Sequence, residues 1–234
     1  MKTNQTTMSE TNQVINLTEL ERINALLGTE MDVLDWDFIA KNLTLSEQFM
    51  NAYADKLNWD AISAYQDLSE SFIERHADKV NWVNICTHQD LSESFIRKHA
   101  DKVDWYNVSI TQNLSEDFIR EFQDKVDWTE ISACQRLSKN FIREFQDKVD
   151  WFEISREQTL SEQTILEFAD KVDWLEISKY QSLSVEFIKT NIQRFDINIV
   201  LSRFSNKLSA EFVIKYHDKI DWDSVKHYRQ LKYK

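Results

Sequence analysis

The chain has 234 residues, 42% of them hydrophobic and 29% charged, with a formal net charge of −12, one glycine and no proline. This is the composition of a soluble protein with apolar surface to bury. The scarcity of glycine and proline argues against β-sandwiches, phosphate-cradling loops and flexible hinges, and the acidic balance argues against direct binding to nucleic acid or to an anionic membrane. Apolar runs are only a few residues long, so neither a membrane span nor a signal peptide is read and a cytoplasmic protein is expected. Cys86 and Cys134 do not occupy equivalent places and suggest no disulfide framework.

In chain order, residues 1–16 are a polar tail without apolar period. Residues 17–44 form an N-terminal capping unit: Thr18 and Glu21 resemble a capping box, Gly28 ends that helix, and the segment around Trp36 matches the second half of a downstream repeat. Seven tandem repeats fill 45–207, opening at Leu45, Leu68, Leu91, Leu114, Leu137, Leu160 and Leu183, 23 residues apart. The last of them diverges: Ile197, Leu201 and Phe204 replace Trp, Ser and Gln, and two residues are inserted. A C-terminal repeat and cap run from Leu208 to 234, closing on the basic LKYK.

Counting the opening leucine as position 1, position 2 is Ser in every repeat, an N-cap for a first helix. Apolar residues at positions 5, 6 and 9, such as Phe118, Ile119 and Phe122, give that helix one buried face. Asp127 then caps a second helix starting at Trp128, and Asp127/Glu130, Asp150/Glu153 and Asp173/Glu176 resemble capping boxes. Positions 15, 18, 19 and 22, such as Trp128, Ile131, Ser132 and Gln135, share a face expected to pack inward. The fold class is therefore all-α, an α-solenoid of about nine two-helix units with a 23-residue period, each helix two to three turns long.

The unit LSEDFIREFQDKVDWTEIS is similar to short helical repeats in proteins of large DNA viruses and large tailed phages, over roughly residues 34–230. The resemblance implies an α-helical repeat protein of viral or phage origin. It carries no catalytic residue and transfers no site.

Gln66, Gln89, Gln112, Gln135, Gln158 and Gln181, all at position 22, are expected to bond backbone groups of the turn into the next unit. His76 and His99 take position 9, where other repeats carry Phe or Tyr; they are read as aromatic substitutes, because a shared metal would have to bridge roughly 9 Å between layers. No metal, cofactor or catalytic centre is assigned, since residues repeated in several units do not mark a unique one. Position 16 drifts from polar at the ends to mostly apolar in the middle, so Val83, Tyr106, Phe152 and Leu175, with Ile110 one turn on, are the candidate contacts for a protein partner. The acidic balance favours a basic or nucleic-acid-binding protein as that partner, and a host factor if the chain is viral. The alternative is an acidic nucleic-acid mimic presenting Asp124, Asp127, Glu130, Asp147, Asp150, Glu153, Asp170, Asp173 and Glu176. It would be dilute, because duplex DNA carries about five phosphate charges over the ~9 Å of one layer.

Overall fold

The computed structural model describes Glu21, Ile23 and residues 35–225. The expected tail over 1–16, the Thr18 cap, the Gly28 terminator and the LKYK ending lie outside the described residues. Among the described residues every regular element is a helix, and the helix pairs recur with the 23-residue period of an α-solenoid. The chain divides into two compact units, residues 1–112 and 113–234.

Within a repeat the first helix covers positions 3–8, as in Glu47–Ala52 and Glu116–Glu121, and the second covers positions 15–21, as in Trp59–Tyr65 and Trp128–Cys134. Six and seven residues make less than two turns each, shorter than the two to three turns expected. The first helix stops early because position 9 leaves helical geometry; Phe122 has φ −109° and ψ 27°. Its carbonyl then accepts the N–H groups of Lys125 and Val126 at 2.9 and 3.1 Å, which closes the corner without glycine or proline.

The caps are where the sequence places them. In all eight repeats the position 2 serine hydroxyl accepts the N–H of position 5, for instance Ser46 from Phe49 at 3.1 Å and Ser115 from Phe118 at 3.2 Å. Each such cap stabilises its helix by about 1 kcal/mol. Asp150 and Asp173 accept the N–H groups of the second and third residues of their helices. The reciprocal half of the capping box is different. The N–H groups of Asp150 and Asp173 go to Ser132 and Ser155 of the preceding repeat, both at 2.9 Å, leaving Glu153 and Glu176 out of the cap. First helices have a similar exchange, because the position 3 glutamate accepts the next repeat's N-cap N–H, as in Ser138 to Glu116 and Ser184 to Glu162, both at 2.6 Å.

In the 1–112 unit the second helices Trp36–Asn42, Trp59–Tyr65, Trp82–His88 and Trp105–Thr111 stack on one another in order. Ile39, Phe49, Ile62, Phe72, Ile73, Ile85 and Ile96 are wholly buried between the layers or nearly so. In the 113–234 unit, Trp128–Cys134, Trp151–Glu157, Trp174–Tyr180 and Ile197–Phe204 stack likewise, over Phe118, Ile131, Phe141, Ile154, Ile177 and Ile188.

The tryptophans are not in the deepest layer. Trp36 to Trp174 are half-buried, and Trp222 is exposed. Each well-packed indole lies over the next repeat's first helix: Trp128 sits 6.2 Å from Phe141 and 4.9 Å from Phe145. Its Nε1–H donates to the Gln123 carbonyl at 2.9 Å, and Lys148 of the next repeat covers the outer ring at 5.8 Å. Position 15 thus welds the rim of two layers, while positions 18 and 19 fill the centre.

The glutamines are buried, as expected, but reach backwards rather than forwards. Gln66 Oε1 accepts the N–H of Leu45, the opening residue of its own repeat, at 2.9 Å, and its Nε2 donates to the carbonyls of Ala40 and Leu43 in the repeat before. Gln89 and Gln112 repeat this in the first unit, Gln158 and Gln181 in the second. One side chain thus satisfies three backbone groups of a turn.

The divergent repeat repacks around its losses. Arg203, one place before the missing glutamine, donates to the carbonyls of Ser178 and Gln181 at 2.5 and 3.2 Å. Phe195, from the turn, meets Trp174 edge-on at 5.2 Å, taking over from the aromatic absent at Asn191.

Replacing Gln158 by leucine leaves the Leu137 N–H and the Ser132 and Gln135 carbonyls buried without this partner, at roughly 1–3 kcal/mol for each unpaired group. Urea unfolding of Gln158→Leu should show a loss of at least about 2 kcal/mol; stability equal to that of the parent would mean that the glutamine contributes nothing to the turn.

Candidate partner-binding face

Most polar residues at the recurrent positions are engaged inside the array. The acids of the sequence-based alternative divide accordingly. Asp124 and Asp147 pair with Lys148 and Lys171 of the following repeats at 3.0 and 2.6 Å, and Asp55 pairs with Lys79 in the first unit. Asp127, Asp150 and Asp173 are helix caps. Asp170 is exposed; in its register Arg194 has turned onto the Trp174 ring at 5.0 Å and the Ala169 carbonyl. Glu130 and Glu153 are partly exposed. Glu176 is only 4% exposed, not a surface acid, because Lys179 draws it in at 2.8 Å. The Asp–Lys pairs between repeats could have been found from the D-K dipeptide that recurs at the corner of every repeat except the divergent one.

First helices carry a second set of pairs between repeats: Arg120 with Glu144 at 2.9 Å, Arg143 with Glu167 at 2.6 Å, Lys139 with Glu167 at 2.8 Å, and Lys98 with Glu74. Arg143 and Lys139 together hold the Glu167 carboxyl down at about 2. Pairs this exposed each contribute little to stability, but they neutralise the surface that a nucleic-acid mimic would need.

The position 16 residues point outwards. In the 1–112 unit Val83 and Tyr106 are 49% and 53% exposed, and Ile110 is half-buried. In the 113–234 unit Phe152 and Leu175 are each 45% exposed. At the same position Asp60 and Asn198 accept hydrogen bonds from Asn81 and Asp221 of the next repeat. Tyr65 and Tyr180, at position 21, are also exposed; sequence reasoning missed them because most repeats carry no aromatic there.

His76 and His99 lie where the aromatic reading puts them. His76 is 4.7 Å from Trp59 and 4.6 Å from Phe72, and its Nε2 meets Asn51 Oδ1 at 2.6 Å. His99 is 5.1 Å from Trp82 and 4.5 Å from Phe95, with Nε2 buried and lacking a hydrogen bond. Burial lowers the pKa of both rings. Among the described residues no three His, Cys, Asp or Glu side chains are grouped to hold a metal ion.

Cys86 takes the place of the position 19 serine, next to the Asp104 backbone, and burial pushes its thiol up to about 11. Cys134 is exposed and its thiol is also raised, by burial and then by Glu130, Glu153 and Glu157. It stands in an open depression of about 500 Å³ with Arg136 and Glu157. A raised pKa leaves little thiolate near neutral pH, so neither cysteine is set up as a nucleophile.

The described residues thus form an all-helical repeat protein whose second helices expose apolar side chains at position 16 in each unit, Val83 and Tyr106 in one and Phe152 and Leu175 in the other. Comparisons with protein-family models, curated proteins and solved structures find no match. Among the described residues no helix is long and apolar enough to cross a membrane.

A titration tests the histidine packing. A histidine whose folded pKa is depressed favours the neutral form, so its contribution is complete above the unfolded value of about 6.5 and is lost as pH falls from there towards the folded value. Urea stability should decline across that window, and His99→Phe, which copies Phe122 and Phe145, should reduce the decline. An unchanged pH profile in the variant would show that the ring does not sense burial.

Proposed function

We propose that the chain is a non-enzymatic, protein-binding repeat module. The observation that carries this reading is the exposure of Val83 and Tyr106 in one unit and of Phe152 and Leu175 in the other, in a protein whose recurrent polar residues are otherwise engaged in holding repeats together. Exposed aromatic and aliphatic side chains on a solenoid are where partners gain most of their binding energy. The likeness of the unit to viral and phage repeats makes a host protein the partner class of this proposal. The acidic-mimic alternative is weakened by the ion pairs that use up Asp124 and Asp147.

Affinity capture from a host lysate, at low and high salt, tests the reading. The double variant Tyr106→Ala, Phe152→Ala should lose its partner while its melting temperature stays within a few degrees, because exposed side chains contribute little to folding. Apolar docking should also survive high salt, whereas binding through surface charge weakens as screening increases. A well-folded double variant that retains its partner, together with loss of capture at high salt, would favour the acidic alternative.

A further inference from the structure

In the 113–234 unit the two helix faces carry their charge differently. On the first helices, cations of one repeat meet carboxylates of another, as Arg120 meets Glu144 and Arg143 meets Glu167. The second helices Trp128–Cys134, Trp151–Glu157 and Trp174–Tyr180 instead carry four carboxylates, Glu130, Glu153, Glu157 and Glu176, against two cations, Arg156 and Lys179. Glu153 has its carboxyl pKa raised first by burial, then by Asp150, Glu157 and Glu130, with Arg156 opposing. The cations of this face are engaged: Arg156 pairs with Glu157 at 3.0 Å and lies 5.8 Å over the Tyr180 ring, and Lys179 holds the buried Glu176. These pairs leave Glu130 and Glu153 as the surplus carboxylates of the face, where Phe152, Leu175 and Tyr180 are each about half exposed.

We propose that this face binds an extended cationic segment of a partner protein, whose apolar side chains cover Phe152 and Leu175 while its Lys or Arg side chains meet Glu130 and Glu153. The inference rests on the protein-binding reading above and adds the partner's charge and shape. The charge follows from complementarity, since a cation brought to this face relieves like-charge crowding and an anion adds to it. The shape follows from register. Phe152 and Leu175 occupy the same position in successive repeats, and packed helices lie roughly 9 Å apart. A polyproline II strand advances about 3.1 Å per residue with three residues per turn, so every third side chain falls about 9 Å from the last on the same side.

The probe is a fluorescein-labelled peptide of four Leu-Lys-Pro triplets with blocked ends, titrated with the full chain and followed by anisotropy. Two companions complete the set, one with Glu for Lys and one with Ser for Leu. The Leu-Lys-Pro peptide is expected to bind, with each companion at least about tenfold weaker. Phe152→Ala combined with Leu175→Ala should weaken it by a similar factor without shifting the melting curve, and Glu130→Gln with Glu153→Gln should weaken it most at low salt. Equal binding of the Glu peptide overturns the cationic partner while leaving the protein-binding reading intact, because lysate capture does not depend on the partner's charge. Equal binding of the Ser peptide reduces the effect to plain charge attraction and overturns the inference, as does failure of all three to bind.

Discussion

Helices of six and seven residues do not persist alone in water, so each repeat must have its loose backbone ends satisfied by its neighbours, and the glutamine at position 22 does most of this. Gln158 shows how. From the end of one repeat its amide takes the N–H that opens that repeat and gives two hydrogens to the carbonyls that close the repeat before. A turn that in other proteins relies on glycine is here held by a side chain from the layer above. The serine at position 19 does a related task at the other corner, and the position 3 glutamate a third. The two faces of a repeat are therefore complementary in hydrogen bonding as well as in shape, and stacking is directional.

Much of this was legible in the sequence because it is local. Ser115 caps the helix three residues ahead of it, Trp128 opens the next helix, and Ile119 and Ile131 fall on buried faces; each follows from spacing within one repeat. The features that were not legible link residues 18 to 26 positions apart, where the outcome depends on how layers are offset. Whether Gln135 reaches its own opening turn or the next one cannot be read from periodicity. Nor can the half-burial of Trp128, since a residue on the inward face of its helix can still lie at the rim of the layer. Arg203 is the clearest case: the missing glutamine at Phe204 signalled a repack, but only the geometry shows a guanidinium one place earlier reaching the same two carbonyls.

The same logic separates structure from candidate function. Residues that recur without change are engaged between layers, which removes most of the acids and all of the glutamines from the pool of free binding groups. What varies without damage to the stack is position 16, where Asp60 and Thr129 serve as well as Tyr106 and Phe152. Its apolar members in the middle repeats are about half exposed, whereas Asp60 and Asn198 accept hydrogen bonds from Asn81 and Asp221 of the next repeat. Of the candidate acids, Glu130 and Glu153 remain beside that surface, so charge and apolar contact could act together on one ligand.

The dependence of each turn on its glutamine is tested most directly by native-state hydrogen exchange at the opening leucines. Leu68, Leu91, Leu137 and Leu160 lie outside any helix, yet each donates its N–H to a buried glutamine oxygen. Their amides should exchange as slowly as those in the centres of the adjoining helices, because both open only when the stack does. Exchange at the rate of exposed turn amides, with the helix centres still protected, would contradict this and leave side-chain packing alone as the bond between repeats.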